Sequence, residues 1–284
     1  MKFKIIDLGD RRPAIKNIIK NVSQNRLNDK VEVNDPTLNS KEESLVLEKF
    51  LRLRKSRLYK FNTKVAGGLQ NLATGVLRTV VKPEGRKNLR KVSGPGIVTA
   101  NHFSPFDSVF VRVGLGFPKL SIIIEPTNLK MPGFLGYMMT YSHTIPTSSG
   151  INYMARDFSK MIKDSLNSGR SILIYPEQEM WYNYRKPRPL QRGAYHYAAK
   201  FKVPIISCFI TMKNHPTRSD PHEVRYTCHV LKPIFPDSNL PLREAAEKME
   251  RIDFKQKVAC YEQSYHKKYT PKYEDGDVAG NYFI

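Results

Sequence analysis

Between residues 96 and 231 the chain repeatedly gathers its apolar residues into short, unbroken runs. They are GIVTA at 96–100, SIIIE at 121–125, SILIY at 171–175, VPIISCFIT at 203–211 and VRYTCHVL at 224–231. Runs of this length, rich in β-branched residues, predict buried strands. Helix-length segments separate them. Residues 152–168 carry Met154, Phe158, Met161, Ile162 and Leu166 at helical spacing and stop at Gly169. LQRGAYHYAAKF at 190–201 is a second helix, and Pro241 opens a last one, LREAAEKMERIDFKQKVACYEQSY. Strands separated by helices predict an α/β fold: a mixed, mostly parallel sheet flanked by helices, its last two strands free to run antiparallel.

The residues before this region have another character. Residues 12–22 suggest a short amphipathic helix, and residues 23–43 are polar, which predicts a linker or mobile segment. The expected organisation is an N-terminal extension over 1–44, partly flexible, a basic amphipathic helical region over 45–82, and the α/β domain over 83–284. Within the basic region Arg52, Arg54, Lys55, Arg57, Lys60 and Lys64 precede a stripe of Val65, Leu69, Leu72, Val76 and Val80, with Gln70, Asn71, Thr74 and Arg78 opposite. Packing on its own domain is the commoner use of such a stripe. A helix lying in a membrane interface has the same pattern, and its neighbouring cations meet anionic headgroups.

Charge narrows the partners without choosing among them. Lys and Arg number 47 against 26 Asp and Glu, a net charge of +21, which favours nucleic acid, anionic lipid, or an acidic carrier or substrate. Zinc-finger spacing, an RNP aromatic motif and a Gly-rich KH loop are all missing, so no specific nucleic-acid partner is expected. A basic binding module without catalysis remains the alternative, and salt-sensitive RNA binding that outcompetes liposomes would favour it. Cys208, Cys228 and Cys260 lack zinc or redox spacing and read as reduced thiols. His143, His196, His215 and His229 are scattered without ligand spacing, so no metal is expected. The opening MKFKIIDLGDRR meets charge too early for a signal peptide, and no run approaches the roughly 20 apolar residues of a membrane span. The expectation is a cytoplasmic protein, soluble or peripheral on a membrane.

The chemistry concentrates in NHFSPFD at 101–107, directly after the first strand. Ser104, Pro105 and Asp107 have the pattern of a helix start, with a serine cap, proline at the first position and an acid three residues after the cap. His102 then lies in the turn and Asp107 in the first helical turn, within reach of each other. Asp107 also has a plain use, complementing the helix dipole. A histidine held by a carboxylate keeps a free nitrogen able to take a proton from an attacking hydroxyl. That hydroxyl can belong to the substrate, and no G-x-S-x-G elbow supplies a nucleophilic serine.

Four blocks in register resemble the glycerolipid acyltransferase family, whose bacterial members include 1-acylglycerol-3-phosphate acyltransferase. The family's N-H, four residues, then D is matched by Asn101, His102 and Asp107, with Ser104 also as expected. An apolar strand followed by F-P-E-G-T-R is met by LIYPEQEM at 173–180, clearly at Pro176 and Glu177, with Tyr175 as the aromatic. QRGAYHYA at 191–198 resembles the segment of a basic residue followed by Gly-Ala, and Val203-Pro204-Ile205-Ile206 matches the final V-P-I block. The likeness covers roughly residues 83–235.

The resemblance implies acyl transfer from a thioester, acyl-CoA or acyl-ACP, to the hydroxyl of a lyso-lipid beside an anionic membrane surface, with no cofactor. His102 is the implied base and Asp107 its orienting partner. Asn101, Ser104 and Glu177 are implied at the substrate site. Two departures bear on the acceptor. Thr147 stands where the second block usually has arginine, and Gln178-Glu179-Met180 replaces Gly-Thr-Arg, positions implied to hold the acceptor's phosphate. Glu179 would repel a phosphate if it pointed the same way. The expected replacements are Arg185, Lys186, Arg188 and Arg192 in the basic stretch downstream, since guanidinium groups suit bidentate phosphate contacts. The alternative is an acceptor other than a simple phosphomonoester, such as a glycolipid or aminolipid.

Overall fold

The computed structural model describes residues 10–33, 36–116, 119–218 and 220–280. Seven strands are ordered β1-β7-β6-β2-β5-β3-β4: β1 (Val81–Glu84), β2 (Ile97–Thr99), β3 (Leu120–Ile124), β4 (Thr144–Pro146), β5 (Ser171–Ile174), β6 (Ile205–Asn214) and β7 (Val224–Val230). β2 pairs in parallel with β5 and β6, and β3 in parallel with β4 and β5. Among the strand pairs of the described residues, only β6 and β7 run antiparallel. The sheet is therefore α/β, mixed and mostly parallel, as the apolar runs predict. Their unbroken character has a direct cause. Successive residues face opposite sides of the sheet, and both sides are covered. Ile97, Ile172 and Ile205 pack against α7 (Ser159–Asn167), α8 (Gly193–Phe201) and α9 (Leu242–Tyr265). Their neighbours Val98, Leu173 and Ile206 face α4 (Asp107–Leu115) on the other side. Each such side chain contributes about 1.5–3 kcal/mol on burial.

Two strands escaped the sequence reading. β1 and β4 are three or four residues long and contain proline, which suits edge positions where one ladder is empty. The helix expected over 152–168 follows α5 (Gly133–Tyr141) and runs from α6 (Ile151–Tyr153) through a π turn (Met154–Phe158) into α7. Gly169, at φ 74°, ends it as expected. Gly114 lets α4 approach the sheet closely, because a methyl group there would collide with the Cys228 thiol.

The N-terminal region departs from expectation. Residues 12–22 do form a helix, α1 (Arg12–Ser23). The segment after it, read as polar linker, is packed: Leu27 and Val31 join Ile15, Ile18 and Trp181 in a small separate core. α2 (Ser40–Arg54) starts from Asn39 with a complete capping box closed by Glu42. Residues 34 and 35 of the expected linker lie outside the described residues.

α3 (Arg57–Leu77) turns the amphipathic reading round. Tyr59, Thr63, Ala66, Gln70 and Thr74 face the protein, so the polar side of the helix is largely the inward one. Asn71 accepts a hydrogen bond from the Arg112 guanidinium at 2.6 Å, and Thr74 accepts another at 3.3 Å. Leu58, Phe61, Val65 and Leu72 point outward, 60%, 65%, 41% and 67% exposed. At spacings of three, four and seven they form one row.

Candidate active site

The site is built where β2 ends. Asn101 clamps the turn to β6: its amide donates to the Ile210 carbonyl at 3.0 Å and accepts from the Ile210 N–H at 2.8 Å. α4 begins at Asp107, two residues later than the sequence predicts, with Phe106 as its cap. The capping box is not made. Ser104 Oγ instead accepts from the Phe106 N–H at 3.2 Å, which tightens the turn around Pro105. Asn101 and Ser104 are both buried, and these bonds give them structural partners in place of the implied substrate contacts.

This turn sets the histidine against the acid. His102 Nδ1 lies 2.7 Å from Asp107 Oδ2, and the same oxygen accepts from the Phe103 N–H at 2.9 Å. With Nδ1 donating to the carboxylate, Nε2 is the nitrogen left to accept a proton, and it has no hydrogen-bond partner among the described residues. The Asp107 carboxylate is fully buried. Burial pushes its pKa up, and the bonds from His102 and Phe103 act against that shift without cancelling it. The imidazole keeps 23% exposure and lies flat against the Tyr175 ring, centroids 4.1 Å apart and planes 10° apart.

Glu177 lies under the turn. One of its oxygens, Oε2, accepts from the His102 N–H at 3.3 Å and pairs with the Arg188 guanidinium at 3.1 Å; the other accepts from the Arg188 N–H at 3.0 Å. Arg188 also donates to the His102 carbonyl at 3.4 Å and stacks on Trp181, 4.5 Å from the ring centroid. The structure thus brings Glu177 and Arg188 to the histidine as buried supports of its backbone.

The rest of the basic stretch is placed elsewhere, contrary to its expected use as a phosphate clamp. Lys186 is buried between Asp277 at 2.8 Å and Glu274 at 3.0 Å. Arg185 binds the Gly276 carbonyl and the Asn214 side chain at 2.6 and 2.7 Å. Arg192 lies on the surface, 3.1 Å from Glu247. These residues fasten the long loop to the C-terminal segment and to α9, because each cation meets a carboxylate or carbonyl before it can face a ligand.

The departing positions have physical readings too. Gln178 takes φ 65°, the left-handed conformation in which glycine is free of strain. Glu179 contributes its charge to Arg188, as Glu177 does. Thr147 continues β4, its N–H donating to the Ile124 carbonyl at 2.8 Å. Sequence reasoning missed the supporting roles of Trp181, Asn183 and residues 27–29. The lone tryptophan beside the Glu177 block was the available signal, since a buried indole needs a partner for its N–H.

Residues 80–211 match the family model for acyltransferases. An uncharacterized acyltransferase of Schizosaccharomyces pombe is 28% identical over 151 residues, 51% of each chain, so the matched part spans about half the length of that relative. The crystal structure of the 1-acyl-sn-glycerophosphate (LPA) acyltransferase PlsC from Thermotoga maritima has the same fold, with a TM-score of 0.51 and 19% identity over 80% of this chain and 90% of that one. The segment similar to the acyltransferase family model is the one that carries β2, the His102 turn, α4 and the Glu177 block.

Proposed function

We propose that the chain transfers a fatty acyl group from an acyl thioester, on coenzyme A or acyl carrier protein, to the free hydroxyl of a lysophospholipid. The preferred acceptor is 1-acylglycerol-3-phosphate, which gives phosphatidic acid. The observation that carries this reading is the 2.7 Å contact between His102 Nδ1 and a buried Asp107 in a turn that leaves Nε2 free. Nε2 takes the hydroxyl proton as the oxygen attacks the thioester carbonyl. Collapse of the tetrahedral intermediate breaks the carbon–sulfur bond, and the imidazolium returns the proton to the departing thiolate. Asp107 holds the tautomer and stabilises the imidazolium.

His102→Ala is expected to lower transfer from acyl-CoA to 1-acylglycerol-3-phosphate by about 10²–10⁴-fold with the fold unchanged by circular dichroism. Retained turnover would remove the mechanism. A second acceptor class is favoured by one observation: Lys186 and Arg188 are spent on internal carboxylates. With a panel of lyso-lipids and one donor, exclusive use of a glycolipid or aminolipid would replace the phosphate acceptor and leave the chemistry standing.

The same proposal places the protein peripherally on the cytoplasmic face of a membrane. Its support is the outward row Leu58, Phe61, Val65 and Leu72, flanked by the exposed cations Arg57, Lys60 and Lys64. No helix among the described residues is long and apolar enough to cross a membrane.

A further inference from the structure

Residues 27–29 lie far from His102 along the chain, yet their polar contacts converge on the loop that holds its backbone. That loop, residues 177–189, has no regular secondary structure. A stretch of this length stays in one place only when something outside it ties it down. Asn28 ties both ends: its amide donates to the Glu177 carbonyl at 3.0 Å and to the Pro189 carbonyl at 2.9 Å. On either side of Asn28, the Leu27 carbonyl accepts from the Arg188 guanidinium at 3.2 Å and the Asp29 carbonyl accepts from the Trp181 indole at 2.8 Å. Ile15 and Ile18 of α1 pack with Trp181 and Tyr184 to give the clamp an apolar floor.

From the loop, the same residues reach the histidine. The Trp181 N–H donates to the His102 carbonyl at 2.9 Å, and the Asn183 N–H to the Phe103 carbonyl at 3.1 Å. Glu177 accepts from the His102 N–H. Both backbone groups of His102 are therefore fixed by one loop, and that loop is fixed by residues 27–29. The His102–Asp107 bond is held from two sides, by α4 and by this strap.

We infer that Asn28 and Trp181 are positioning residues, and that the N-terminal strap is a working part of the active site that keeps His102 in line with Asp107. The inference rests on the acyl-transfer reading for its kinetic consequence, but not for its structural one.

The full chain carrying Asn28→Ala or Asn28→Asp tests it; the second keeps the size of the side chain and removes both donors. Three readouts are needed. One is kcat and KM with an acyl-CoA and 1-acylglycerol-3-phosphate. A second is the low-field proton resonance of His102 Nδ1, assigned by its loss in His102→Ala. The third is the emission of Trp181, the single tryptophan of the chain. Both variants are expected to lower kcat about tenfold with KM changed less than about twofold, since small displacements of a reacting group are costly. The His102 resonance is expected to broaden and the Trp181 emission to move to the red. A lower melting temperature with kcat and the resonance unchanged would overturn the inference, leaving a merely structural strap. If the unaltered chain shows no transfer, the functional reading fails separately. The resonance then decides: unchanged in both variants while Trp181 emission shifts, it overturns the strap's role, and broadened, it supports it.

Discussion

At the scale of single residues, the site balances stability against chemistry. Asp107 is a carboxylate without solvent, and burial raises its pKa above the unfolded value. A raised pKa favours the protonated folded form, so its contribution to stability is present at low pH and is lost as pH rises through the folded value. At neutral pH the charge is therefore a cost. Asp107→Asn is expected to leave the melting temperature unchanged or higher while cutting transfer by about 10²–10⁴-fold, because the amide no longer selects the tautomer. His143 shows the opposite sign. Burial, with Arg170, Arg54 and Arg112 nearby, lowers its pKa from 6.5 to about 4. The neutral ring is the folded form, so stability present above the unfolded value falls as pH drops from 6.5 towards about 4. Urea titrations across that range are expected to show a shallower fall in His143→Asn than in the unaltered chain. Asparagine suits the comparison because it tolerates the φ of 57° found there.

Among the elements, α3 is the informative case. Its periodicity was visible in the sequence, and the direction of its apolar face was not. Asn71 and Thr74 look like a solvent face until Arg112 on α4 is placed opposite them, when they become its hydrogen-bonding partners. The apolar row then has nowhere to go but outward. Leu72→Asp is expected to leave the melting temperature unchanged, since the side chain is 67% exposed. It is expected to weaken flotation with anionic vesicles by roughly tenfold or more, from the loss of one buried leucine at the interface. Binding of the unaltered chain is expected to fall with added salt as its cations are screened. Equal flotation of the two proteins would remove α3 from the contact.

For the whole molecule, one buried network joins the far helix to the sheet below the site. Asp253 of α9 accepts from Lys257 at 2.5 Å, Tyr195 of α8 at 2.6 Å and Thr99 of β2 at 2.7 Å, and also from Ser207 of β6. Burial pushes the Asp253 pKa up, but Lys257 and these donors outweigh it and hold the carboxyl below its ordinary value. Lys257→Met is expected to cost about 3–5 kcal/mol in unfolding free energy, because it leaves a buried carboxylate without its cation. A change below about 1 kcal/mol would show that the hydroxyls alone satisfy Asp253. Thr99 lies two residues before Asn101, so this network anchors the end of the strand from which the His102 turn departs.

The sequence by itself determined the α/β class, most of the sheet and the His102–Asp107 pair. Apolar runs record burial on both faces, and a short turn leaves two residues five apart little freedom to miss each other. Tertiary structure alone decided the rest. Which face of α3 looks outward, whether Arg188 meets a ligand or Glu177, and what residues 27–29 hold all depend on partners distant in sequence. For a charged or polar side chain the sequence states a capacity to bond. Only the folded chain says which partner arrives first.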